Sequence, residues 1–296
     1  MRKFENRIQL VALATLAAFL LLVSQAMAGP YDKLLFFPER EFYTNPQDLD
    51  GFKTEDVYFK TEDDLKIHGW YFENPNSKGT VIVSHGNAGN ISYRIPLIKM
   101  LLKLNLSVLA YDYRGYGKSK GTPTIDGVCL DGLAAYNYLL TERKLEATKI
   151  ILYGESLGGG ITCHIASRKQ CGAIILQSTF SSLPNVARKV MPVFWAVPKV
   201  LMPKNTMDNM RVCSQEHPPL LIVHGTDDEV IPYSEALKLN SKAIEPKVFS
   251  PIKNAGHNNI YPTYSGDLKR AIKEFLEAQT KLLIETPADC SEEEFF

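Results

Sequence analysis

Beyond residue 31 the chain alternates between two hydrophobic rhythms. Short apolar runs, such as Thr80-Val81-Ile82-Val83-Ser84 and Ala173-Ile174-Ile175-Leu176-Gln177, are bounded by polar or glycine-rich turns. Runs of that length suit strands buried on both faces. Between them lie longer stretches whose apolar residues recur every three or four positions, the spacing of a helix with one buried side. The pattern predicts strands over 57–60, 65–72, 80–84, 107–111, 149–153, 173–177, 220–224 and 247–250. Helices are expected over 95–104, 125–140, 157–167, 234–243 and 267–283. Thr61-Glu62-Asp63-Asp64 is polar and joins the first two strands as a hairpin. Repeated βα alternation predicts an α/β fold: a mostly parallel central sheet with helices on both faces. One stretch, 180–219, breaks the rhythm with Pro192, Phe194, Trp195, Pro198, Met202 and Pro203. It is too long for an ordinary connection, and we expect a small helical cap inserted into a domain spanning 29–284.

The N-terminal pattern is different again. Arg2, Lys3 and Arg7 precede an apolar run over 8–23, and Ala26-Met27-Ala28 supplies small residues of the kind a signal peptidase cuts after. Residues 1–28 therefore read as a signal peptide, with an uncleaved membrane anchor as the alternative. The run is roughly 16 residues, somewhat short of the roughly 20 that span a bilayer. Either form implies export, to the periplasm, to the exterior or to an outer membrane face.

Composition narrows the function. The 33 basic and 33 acidic side chains balance, and no basic block suggests a nucleic-acid partner. The acidic end, within 285–296, reads as a solvated tail. The five cysteines fit neither a disulfide framework nor a zinc site by their spacing. Cys129 and Cys163 fall in helical patterns and read as small apolar residues.

Four loops carry candidate chemistry, each directly after an expected strand. Gly154-Glu155-Ser156-Leu157-Gly158 sits between a strand and a helix, the setting of a G-x-S-x-G nucleophile elbow. Ser156 is the candidate nucleophile, and the tight turn demands glycine at 154 and 158. His85-Gly86-Asn87-Ala88-Gly89-Asn90 is placed to supply an oxyanion donor, so the backbone N–H groups of Asn87 and Leu157 form the candidate oxyanion hole. The His85 side chain itself reads as structural. In His224-Gly225-Thr226-Asp227-Asp228-Glu229-Val230-Ile231-Pro232 two aspartates compete; the H-G-x-x-D-x-x-[VI]-P spacing selects Asp228 as the acid, with Asp227 a turn residue. His257, within Asn254-Ala255-Gly256-His257-Asn258-Asn259, is the one histidine downstream of that loop and the candidate base. The order Ser, Asp, His is that of an α/β-hydrolase triad.

Over residues 31–284 the chain resembles the α/β-hydrolase superfamily. It looks closest to a branch of exported or membrane-associated enzymes that includes the ABHD-type depalmitoylases. The likeness rests on Leu35-Phe36-Phe37-Pro38, the His85–Asn90 string, Tyr111-Asp112-Tyr113-Arg114-Gly115-Tyr116-Gly117-Lys118-Ser119, the elbow, the Asp228 loop and Gly256-His257-Asn258. It implies Ser156, Asp228 and His257 as the triad, with Arg114 and Tyr116 as scaffold. Those depalmitoylases attach to membranes through an N-terminal cysteine cluster, whereas this chain has no cysteine before Cys129, so that activity does not carry over. The expected reaction is hydrolysis of an ester or thioester of a small or acyl-chain substrate, through an acyl-enzyme and with no cofactor. A peptidase of the same fold and a non-catalytic binding protein are the alternatives. A dehalogenase would need Asp in place of Ser156.

Overall fold

The structure, a computed structural model, describes residues 32–44, 46, 49–190 and 207–285. The expected leader, the middle of the 180–219 cap (191–206) and the tail beyond 285, with Cys290, lie outside the described residues.

The described residues begin with a helical turn over 32–35 (α1) and a two-residue strand, Phe37–Pro38 (β1). A hairpin follows, Lys53–Lys60 (β2) and Lys66–Glu73 (β3), paired antiparallel through the polar turn. Next come Thr80–Ser84 (β4), Ala88–Gly89 (β5), a 3-10 turn Ile91–Arg94, and helix Ile95–Leu102 (α2). Then follow Ser107–Tyr111 (β6), Ile125–Thr141 (α3), Ile150–Glu155 (β7), Leu157–Ala166 (α4) and Ala173–Gln177 (β8). Within the segment expected to form a cap lie Leu183–Val190 (α5) and Asn209–Cys213 (α6). Leu220–Gly225 (β9), Ser234–Lys242 (α7), Lys247–Ile252 (β10), Ile260–Thr263 (α8) and Ser265–Glu285 (α9) complete the fold.

Eight strands form one sheet in the order β10-β9-β8-β7-β4-β6-β3-β2. From β10 to β6 the neighbours are parallel, and the β2–β3 hairpin adds an antiparallel edge. The buried runs alternate faces as a period of two requires. Ile150, Leu152, Ile174 and Leu176 enter one core, under α3 and α4; Ile151, Tyr153, Ala173 and Ile175 enter the other, under α2 and α9. Each of the isoleucine and leucine side chains, fully buried, contributes roughly 1.5–3 kcal/mol. A strand with both faces covered is apolar through its middle, with polar residues confined to its ends, which is why these runs stood out in the sequence.

Several boundaries differ from expectation. β2 begins at Lys53, earlier than 57, because its first residues lie on a half-exposed edge where polar side chains are tolerated. β10 continues through Pro251 to Ile252: it is an edge strand, where a missing N–H costs no ladder bond. α2 ends at Leu102, ahead of Asn105, whose φ of 58° takes the chain out of the helix. The small β1–β5 pairing was not expected; it seats residues 37–38 against the His85–Asn90 loop, with Phe37 N–H donating to Asn87 O at 2.9 Å. Arg114 forms ion pairs with Asp63 and buried Asp131 at 2.8 Å each, a scaffold contact. Cys129, Cys163, Cys171 and Cys213 are buried, and no two of them are joined in a disulfide. Among the described residues no helix is long and apolar enough to cross a membrane.

Candidate active site

The parallel strands all point the same way, so the loops after β4, β7, β9 and β10 emerge at one edge of the sheet. The loop after β7 is a single residue. Ser156 takes φ 54° and ψ −117°, a conformation that costs a residue with a side chain of the order of 1–3 kcal/mol. It is held there by its N–H donating to Gln177 O at 2.9 Å and its carbonyl accepting from Thr179 Oγ at 2.7 Å. The turn is tight because helix α4 starts immediately and passes close to β4. A Cβ on Gly158 would stand 1.9 Å from Ser84 O, so only glycine fits.

Two further loops complete the arrangement, one reaching Ser156 Oγ and the other reaching it through His257. His257 Nε2 lies 3.1 Å from it, and His257 Nδ1 lies 2.8 Å from Asp228 Oδ2. Asp228 is buried, and its Oδ1 accepts from the N–H groups of Val230 at 2.9 Å and Ile231 at 2.7 Å. Burial alone would raise the Asp228 pKa, but hydrogen bonds from His224, His257 and Ile231 N–H together hold it well below the ordinary range. Asp227, the competing carboxylate, is exposed and accepts from Thr226 Oγ at 2.9 Å. The His257 loop is fixed from behind by Gly256 N–H to Asn259 Oδ1 at 2.8 Å and His257 N–H to Glu229 at 3.3 Å.

The His85–Asn90 loop lies across the elbow: a Cβ on Gly86 would stand 3.7 Å from Ser156 Cβ. His85 is fully buried, stacks on Tyr113 with ring centres 4.2 Å apart, and bonds through Nδ1 to the Gly86 carbonyl at 2.7 Å. Burial pushes its pKa down to about 3, with Arg94 adding to the effect, so the ring is neutral. The carbonyl of Gly86 is thereby turned toward the buried ring. In a trans peptide the next N–H, that of Asn87, points the opposite way. Asn87 O is taken by Phe37 N–H and by Tyr116 Oη at 2.6 Å. Leu157 N–H is the first of α4, with no preceding helical turn to receive it. Among the described residues no group of three or more His, Cys, Asp or Glu side chains is arranged to hold a metal ion.

A family model described as alpha/beta hydrolase fold matches residues 79–203. The chain is also 33% identical over 245 residues to the uncharacterized protein YfhR of Escherichia coli K12, covering 79% of this chain and 83% of that one. The chain belongs to the α/β-hydrolase fold family. An uncharacterized membrane protein of Saccharomyces cerevisiae, YNL320W, is 34% identical over 242 residues, 78% of this chain and 81% of its own. Among solved structures, an esterase of Pyrococcus furiosus superposes with a TM-score of 0.70 at 24% identity, over 82% of this chain and 98% of that one. An acetyl xylan esterase from Paenibacillus superposes at 0.64 and 18% identity, over 88% and 94%. These two likenesses concern the fold.

On that α/β-hydrolase frame two groups went unforeseen in the sequence. Arg94 donates to Glu155 from Nε and Nη2, both at 3.0 Å, and Tyr261 Oη shares its one proton between Glu155 at 3.2 Å and Gln177 at 2.9 Å. Tyr153 Oη also donates to Gln177. This network ties the start of α2, the elbow, the end of β8 and the segment after His257 into one buried brace. Nothing in the local sequence marks Arg94, whose partner lies far along the chain. The second is His224, which belonged to the motif used to select Asp228 but was given no task of its own.

Proposed function

We propose that the protein is a serine hydrolase that cleaves an ester or thioester through an acyl-enzyme. The observation that carries this reading is the unbroken chain from Ser156 Oγ through His257 to Asp228, at 3.1 and 2.8 Å. His257 Nε2 takes the Ser156 proton as Oγ bonds to the acyl carbon. The resulting oxyanion is received by the N–H groups of Asn87 and Leu157, and loss of one such donor typically costs about 10²–10³ in rate. The imidazolium returns its proton to the departing alcohol or thiol. A water, deprotonated by the same nitrogen, then releases the acid and restores Ser156. Asp228, kept ionised by its four donors, holds Nδ1–H and stabilises the imidazolium. The reaction requires no cofactor. The 180–219 segment, with its proline and aromatic residues, is the part of the chain we assign to acyl-chain binding.

The apolar run over 8–23 supports an exported enzyme, either released or held at a membrane, and the yeast relative bears the name of a membrane protein. Cell fractionation and N-terminal sequencing of the mature protein decide between those forms.

The deciding experiment compares hydrolysis of p-nitrophenyl esters from acetate to palmitate by the wild type and Ser156→Ala. Turnover present in the first and abolished in the second is expected, as is labelling of Ser156 by a fluorophosphonate. A folded wild type that neither turns over any ester nor reacts with the probe refutes the proposal.

A further inference from the structure

His224 stands near the end of β9, ahead of Asp228, and performs none of the proton transfers above. Its ring is buried, and Nε2 faces two oxygens: the Ile231 carbonyl at 2.8 Å and Asp228 Oδ2 at 3.3 Å. A carbonyl oxygen only accepts, so Nε2 carries a proton and shares it between the two. Nδ1 is sealed from solvent and has no partner among the described residues. An apolar side chain would fill this part of the core without leaving an orphan nitrogen, so packing alone does not account for an imidazole here.

Its effect falls on the acid. Asp228 Oδ1 is pinned by two backbone N–H groups of its own loop. Oδ2 receives His257 Nδ1 from one side and His224 Nε2 from the other. The His224 proton also reaches Ile231, so one ring closes the loop that carries Asp228 and orients its carboxylate together. Without it, Oδ2 keeps His257 as its one side-chain donor, and the carboxylate gains freedom to turn about its Cβ–Cγ bond.

We propose that His224 is a positioning residue, whose Nε2–H fixes Asp228 Oδ2 where it receives the Nδ1 proton of His257. This deepens the serine-hydrolase reading and rests on it. The test uses the full chain and three variants, His224→Leu, His224→Gln and His224→Asn. A glutamine amide reaches the place of Nε2, whereas the shorter asparagine amide does not. Kinetics are measured on a p-nitrophenyl ester that the wild type hydrolyses, with Ser156→Ala in parallel. His224→Leu and His224→Asn are expected to lower kcat by up to about 100-fold with KM unchanged, the cost of a small misplacement of a reacting group. His224→Gln is expected to restore most of it. Proton NMR gives a readout independent of turnover: the far-downfield imidazole resonance of a His–Asp pair is expected in wild type and His224→Gln, and lost in His224→Asn, His224→Leu and Asp228→Asn. Full turnover by Ser156→Ala would overturn the hydrolase reading, while the resonance still judges His224. Wild-type kcat and resonance in His224→Asn, or equal losses in His224→Asn and His224→Gln, would overturn the positioning role even if His224→Leu fails to fold.

Discussion

The brace behind the elbow makes a quantitative prediction. The Arg94 and Glu155 side chains are 12% and 14% exposed and share two 3.0 Å hydrogen bonds. Arg94→Met removes the cation and leaves the Glu155 carboxylate with the Tyr261 hydroxyl, at 3.2 Å, as its side-chain donor. Breaking a pair this buried from one side costs about 3–5 kcal/mol, because the surviving charge keeps a single neutral donor and little water. The exposed Lys60–Asp64 pair, with side chains 69% and 81% accessible, is by contrast worth about 0–1 kcal/mol. In a domain of this size each kcal/mol moves the melting temperature by roughly 2–4 °C, so Arg94→Met should melt about 6–20 °C below wild type. The double variant Arg94→Met/Glu155→Gln carries no buried charge at this place and should melt above Arg94→Met. Urea titrations followed by tryptophan fluorescence, beside thermal melts, measure all the corners of the cycle. The reasoning is refuted if Arg94→Met lies within about 1 kcal/mol of wild type, well below the buried-pair range. It is equally refuted if the double variant is less stable than the single.

Asp228→Asn should fold but lose turnover by the order of 10⁴, since an amide favours the wrong imidazole tautomer; Asp227→Ala should keep wild-type kcat, and steady-state kinetics on both variants checks the choice between the two. Gly158→Ala places a Cβ 1.9 Å from Ser84 O, and is expected to yield no soluble folded protein, read by expression and circular dichroism. Glu235 is buried under Lys189 at 2.8 Å, Lys238 at 3.0 Å and the Ser181 N–H at 3.1 Å. Burial opposes its ionisation, but these donors outweigh it and hold its pKa at about 2. Because the folded value lies below the unfolded one, its stabilisation is complete above about pH 4.5 and fades as pH falls toward 2. Melts of wild type and Glu235→Gln between pH 6 and 2.5 should therefore converge as the pH drops, and parallel curves would refute the assignment.

The parts of this fold that were legible are those with a repeating pattern or a local motif. β4, β7 and β8 are buried on both faces, so uninterrupted apolar runs marked them. The elbow and the acid loop were legible because each follows such a strand directly, and the base loop because it holds the one histidine downstream of the acid loop; the spacing in the acid loop singled out the aspartate that the fold brings to His257. β1 and β5 were not legible, since two residues carry no period and their pairing joins distant parts of the chain. Arg94 was invisible for the same reason: a single arginine opening an apolar helix looks like an ordinary surface residue until Glu155 meets it. The strand expected over 247–250 runs on through Pro251 because its edge position is a property of the sheet rather than of the local sequence.

Register explains why those three loops meet. Glu155 pairs with Gln177, Gln177 with Val223, and His224 with Pro251, so β7, β8, β9 and β10 end nearly level. Ser156 and Asp228 thus leave strands that are two spacings apart, about 9–10 Å. Neither a serine nor an aspartate spans that gap, but an imidazole with a hydrogen bond at each end does, which is the place His257 takes after β10. The longer return from β10 is what lets a residue from the sheet edge reach back over β9. A one-residue slip of β9 would turn His224 to the opposite face of the sheet, so the packing of Leu221 and Val223 into one core and Leu220 and Ile222 into the other is what keeps its ring beside Asp228.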